Sequence, residues 1–165
     1  MKRLSNQPLP PYTYVPGKTA HPVRDPRGHS FGSPEPSVES FVPARWDECE
    51  AYRFGIDLFN QGFYWEAHEQ WEAVWHAVGR KGDVASFLKG LIKLAAAGVK
   101  QLEGSEIGVQ RHTDRAIELF SCIDSGASCG LDCAELIELA RRMQLDSDGS
   151  STPRLSPTLR GSDSD

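Results

Sequence analysis

Proline placement constrains this chain more than any other feature. Nine of its 11 prolines fall in residues 1–43, two more are Pro153 and Pro157, and none occurs from Ala44 to Met143. Proline lacks a backbone donor and clashes with the preceding turn, which makes it the worst residue for a helix interior. The proline-free stretch therefore predicts a helical body between two non-helical arms. The expected fold is all-α: a five-helix bundle built on an antiparallel helical hairpin. A Pro-rich arm spans 1–43, the helical domain 44–143, and a disordered tail 144–165.

Apolar periodicity places the five helices. The first runs from Arg45 to Phe59, with Trp46, Cys49, Tyr52, Ile56 and Phe59 at helical spacing. Asn60-Gln61-Gly62 breaks it, and the second runs from Tyr64 to Val78. So short a break folds the two into a hairpin. The third, from an Asp83 cap to Leu102, is apolar on most sides and belongs in the middle of the bundle. Gly90 and Gly98 weaken it by about 1 kcal/mol each relative to Ala, so a close neighbour is expected at both. The fourth runs from a Ser105 cap to Ile123, with Val109, His112, Ala116 and Phe120 inward. A loop, Ser125 to Gly130, precedes the fifth, where Asp132 and Glu135 form a capping box.

Charge and composition exclude several functions. The net charge is −5, concentrated in the body, and phosphate backbones are gripped by dense Lys and Arg. Nucleic acid is therefore a disfavoured partner, reachable mainly through the mildly basic arm. No apolar run is long enough to span a bilayer, so no membrane partner is expected. The opening MKRLSNQPLPPYTY lacks the apolar stretch of a secretory signal, and a cytoplasmic protein is expected. Cys49, Cys122, Cys129 and Cys133 form no CxxC pair and match no standard zinc spacing. They read as small buried hydrophobes.

Chemistry concentrates on the second helix, Tyr64-Trp65-Glu66-Ala67-His68-Glu69-Gln70-Trp71-Glu72-Ala73-Val74-Trp75-His76. At about 100° per residue, Ala67, Trp71, Val74 and Trp75 form an apolar arc. His68 and Glu72 lie at its edge one turn apart, with Glu69 further round and Glu66 on the outer side. His68-Glu69-x-x-Glu72 differs from the zinc-protease motif HExxH by one residue, giving a mixed nitrogen and oxygen set suited to a divalent metal. A His–Glu pair at this spacing also satisfies a partly buried histidine without any metal. On the third helix, Lys89, Lys93 and Lys100 make one polar stripe, either an anion-binding row or a solvated edge whose stems cover the core. His112 on the fourth helix gains a role only if folding brings it to His68 and Glu72.

The arm carries Pro10-Pro11-Tyr12-x-Tyr14-x-Pro16-Gly17 and then His21-Pro22-x-Arg24-Asp25-Pro26-x-Gly28-His29-Ser30. Its aromatics, histidines and fixed turns suit a segment that docks, although composition alone also fits a disordered leader.

Phe59-Asn60-x-Gly62-x-Tyr64-x-Glu66-Ala67-His68-Glu69-x-Trp71-Glu72-x-x-Trp75, followed by Phe87-Leu88-x-Gly90-Leu91-Ile92-x-Leu94-Ala95-Ala96-Ala97, resembles the "domain of unknown function 309" family. The resemblance extends over Phe54–Phe120 and includes His112-x-x-Arg115-Ala116. It implies a small all-helical protein and supplies no reaction. Where many members carry glutamine, this chain has Lys89 and Lys93, which argues against catalytic lysines.

Two functional readings follow. In the first, a pocket between the second, third and fourth helices binds a small ligand or a divalent metal. His68, Glu69 and Glu72 are its catalytic groups, with His68 and Glu72 as metal ligands. Trp71, Trp75, His112, Lys93 and Lys100 line it, and His21 or His29 of the arm closes it, a hydrolase-like arrangement. In the second, the tryptophan edge is an interface for a protein partner, including a second copy of this chain. Whether the chain is an enzyme stays open at this point.

Overall fold

A computed structural model describes residues 2–124 and 129–159. Five α-helices follow one another: α1 (Glu50–Asn60), α2 (Tyr64–Ala77), α3 (Asp83–Glu103), α4 (Glu106–Ser121) and α5 (Cys133–Leu145). Helices adjacent in sequence pack together, and α3 lies between α2 and α4. The described residues contain no strand, so the all-α expectation holds.

The first expected helix is divided. A short 3-10 turn, Pro43–Glu48, precedes α1, with Cys49 extended at φ −86° and ψ 106° between them. On one continuous helix Trp46 and Tyr52 would point about 120° apart. The break lets both face the core, with ring centroids 5.8 Å apart. Asp83 is not a cap but the first residue of α3, following Gly82 at φ 93°, where it places negative charge at the positive helix end. Ser105 and Asp132 do cap, accepting from the backbone N–H of Gly108 and Glu135. Residues 125–128 of the expected loop lie outside the described residues.

One core joins all five helices. Tyr52, Ile56 and Phe59 of α1 meet Trp71 of α2, Phe87, Leu91 and Leu94 of α3, Phe120 of α4 and Met143 of α5. A side chain on Gly98 would overlap the ring of Tyr64, and one on Gly90 the ring of Phe120. These two glycines let α2 and α4 approach α3. On α4, Thr113 is fully buried, bonding the carbonyl of Val109 at 2.7 Å, while His112 is only half-buried. Cys129 is buried, which pushes its thiol up to about 12, in keeping with a packing role. Cys49 and Cys133 are partly buried, but Cys122 at the end of α4 is exposed, against the expectation for it.

The arm lies along the body. Asp57, buried on α1, accepts from the backbone N–H of Leu4 at 2.9 Å and Ser5 at 2.7 Å. Lys18 Nζ donates to the carbonyl of Leu102 at 2.7 Å. Part of the stretch expected as a tail also docks. Gln144 and Leu145 complete α5, and Leu155 is buried, its backbone held by both side-chain atoms of Asn60 at 2.7 and 2.9 Å. Residues 160–165 lie outside the described residues.

Candidate functional site

The docked arm changes the meaning of α2. Glu66, placed on the outer side by the helical wheel, is instead buried beneath the arm. Its carboxylate accepts from Thr13 Oγ1 at 2.7 Å, the Tyr14 backbone N–H at 2.8 Å and His29 Nε2 at 2.9 Å. His29 Nδ1 lies 2.8 Å from Ser30 Oγ, and Tyr12 accepts from the backbone N–H of His29 while donating to the carbonyl of Ala20. Both His29 and Glu66 are fully engaged, so neither is open to close a site.

His21 is also committed. Its Nδ1 accepts from the backbone N–H groups of Val23 and Arg24, both at 3.2 Å. The neutral ring therefore carries its proton on Nε2 and presents a donor rather than a metal-binding lone pair. The ring packs with Tyr14 and Trp65, at centroid distances of 4.9 and 5.6 Å.

One turn further along α2 the arrangement is looser. His68 Nε2 lies 3.3 Å from Glu72 Oε1, and His68 Nδ1 lies 3.4 Å from Glu69 Oε1. Nδ1 is shielded from solvent and makes no hydrogen bond of good geometry, although the carbonyl of Trp65 is near. One ligand atom from each of His68, Glu69 and Glu72 lies within 4.8 Å of the others. Among the described residues, no other group of three or more His, Cys, Asp or Glu side chains comes so close.

The three groups respond differently to their surroundings. Burial lowers His68, but Glu72 as acceptor and charge, with Glu69 and the Trp65 carbonyl, outweighs it and leaves the imidazole above its ordinary value. Burial raises Glu69, and the neighbouring charges of Glu72, Glu35 and Glu66 add to that rise against the pull of His68. Glu72 is lowered, chiefly by its hydrogen bond from His68 and despite burial, with help from Lys89 and His76. Two carboxyls one turn apart are thus driven in opposite directions, a pattern common where acid–base chemistry or cation binding occurs.

The remaining candidates separate. Trp71 is fully buried, its Nε1 donating to the carbonyl of Tyr52 at 3.3 Å, so it is core and not a pocket wall. Trp75 is partly buried, with Lys89 Nζ 4.3 Å from its ring centroid. His112 is lowered by burial and then by Lys93 and Lys100, which places it with the lysine stripe rather than with the His68 group. Lys93 is likewise lowered by burial, Lys89 and Arg115, with Glu72 opposing. Lys100 pairs with Glu103 at 2.7 Å. The cavity that Glu69 lines, about 390 Å³, is not between α2, α3 and α4 but between the arm and α2, with Phe54 and Leu58 of α1 at its base. The helical wheel could not show this, because most of that cavity's lining belongs to a segment without periodicity.

Residues 52–112 match the family model described as "Domain of unknown function (DUF309)". The chain carries a DUF309 domain. The match begins within α1 and ends within α4, so the DUF309 segment contains α2, α3 and the His68 group, while the arm precedes it. Neither the curated proteins nor the solved structures provide a match to the chain. No described helix is long and apolar enough to cross a membrane.

Proposed function

We propose that His68, Glu69 and Glu72 hold a divalent metal ion on the partly buried edge of α2. The observation that carries this reading is the convergence of three ligand atoms within 4.8 Å, one of them the unsatisfied Nδ1 of His68 or its Nε2. A cation there offsets the burial and the neighbouring negative charge that raise Glu69, and gives His68 a partner in place of long contacts. One imidazole and two carboxylates suit zinc, manganese or iron better than a thiolate-seeking ion. Three protein ligands leave a coordination position open, the feature that distinguishes catalytic from structural zinc sites, and this supports a hydrolase-like role.

Elemental analysis of protein purified without chelator or histidine tag tests the reading. The expected result is about one metal ion per chain in wild type, lost in His68→Ala and in Glu72→Gln. A wild type that carries no metal and takes up none from micromolar zinc, manganese or nickel overturns it. The exposed part of Trp75, flanked by Lys89 and Arg80, supports the second reading, an interaction surface. That reading requires Trp75→Ala to abolish association with a partner or a second copy in light scattering.

A further inference from the structure

The cleft between the arm and α2 has a definite chemistry of its own. Its walls are apolar, with Pro8, Pro11 and Pro34 from the arm facing Trp65 of α2. Glu35, Glu66 and Glu69 also line it, and no lysine or arginine among the described residues does. Glu66 already has three partners, His29 among them. Glu69 has only its long contact to His68, and the charge of Glu35 bears on it. The volume of about 390 Å³ falls in the range of small-molecule sites.

We propose that this cleft binds a small organic ammonium compound, its apolar body against the prolines and Trp65 and its cationic nitrogen between Glu69 and Glu35. An aromatic face beside two carboxylates attracts an ammonium group through both the ring quadrupole and charge. A neutral apolar ligand leaves the carboxylates without a counter-charge, and an anion meets their repulsion. The inference does not depend on a bound metal and shares only Glu69 with that reading.

The test is a titration of isotope-labelled full chain at neutral pH with EDTA present, followed by amide and indole resonances. The probes are phenethylamine, phenethyl alcohol and hydrocinnamate. Phenethylamine is expected to shift the Trp65 indole and the amides of Ser30 and Gln70. It should bind about tenfold more tightly than the alcohol, the scale of a hydrogen bond to a charged group. Hydrocinnamate is expected to bind weakest. Glu35→Gln and Glu69→Gln should each narrow the gap between amine and alcohol, while His68→Ala leaves it intact. Equal affinity of amine and alcohol, shifts confined to other surfaces, or no shift at millimolar probe overturns the proposal. Metal content in chelator-free protein is read separately. Glu35→Gln is expected to keep any metal and His68→Ala to lose it, so failure of either reading leaves the other standing.

Discussion

Glu66 and Glu69 stand three residues apart on α2, line the same cleft and each face a histidine, yet the protein treats them differently. Glu66 is sealed under the arm with three donors at ordinary hydrogen-bond distances. Glu69 meets only a histidine nitrogen at 3.4 Å and three other carboxylates through space. A buried carboxylate with its donors supplied is a fastener, and removing it strands those donors. A carboxylate short of positive charge contributes little to folding and keeps its capacity for an outside cation. The contrast separates residues that hold α2 in place from residues that α2 displays.

The largest expected effect probes the far side of the same helix. Trp71→Ala should cost about 4 kcal/mol in urea unfolding, because a fully buried indole leaves a cavity. Trp65→Ala, at the cleft, should cost about 1 kcal/mol, the scale of a half-buried aromatic contact. Equal losses would mean that α2 has no displayed side.

Glu66→Ala comes next. It should cost about 3 kcal/mol, since His29 and the Tyr14 amide lose a buried acceptor. Limited proteolysis of that variant should cut within residues 10–31 before the helical body. An arm that stays resistant would show that Glu66 does not fasten it.

Glu69→Gln is expected to change stability by less than about 1 kcal/mol, as it removes a carboxylate that gains few contacts and repels its neighbours. A loss as large as that of Glu66→Ala would erase the distinction between the two residues.

The smallest effect is spectroscopic. Proton titration followed by imidazole resonances should place the midpoint of His68 above the ordinary 6.5 and that of His112 below it. The signs follow from their neighbours. Glu72 and Glu69 favour the imidazolium of His68 against its burial, whereas burial, Lys93 and Lys100 all disfavour that of His112. Glu72→Gln should bring the His68 midpoint down and leave that of His112 in place. Midpoints in the reverse order would contradict the environment described for both rings.

The helical frame was legible because it rests on local chemistry. Ser105 and Asp132 announce their helices by side chains that bond three residues on, and Gly90 and Gly98 mark real close approaches to Phe120 and Tyr64. The group of His68, Glu69 and Glu72 was legible for the same reason, since one turn of helix brings all three together. Glu66 was not, because its partners are up to 53 residues away in an aperiodic segment. Trp71 looked like a pocket wall because a helical wheel shows which residues share a face, but not how deeply that face is buried. Leu155 was not legible because a leucine among serines and prolines carries no pattern, and its place is fixed by Asn60 and the core, both distant in sequence.

Asn60 also sets a timetable. Each helix packs on the next one in the chain, so the bundle is able to assemble in the order of synthesis. Asn60 waits far longer for its partner, since Leu155 is made 95 residues later. At translation rates of about 5–20 residues per second, this separation keeps the end of α1 uncovered for on the order of 5–20 seconds. Throughout that interval, the amide of Asn60 at the end of α1 is open to a chaperone or to a neighbouring nascent chain.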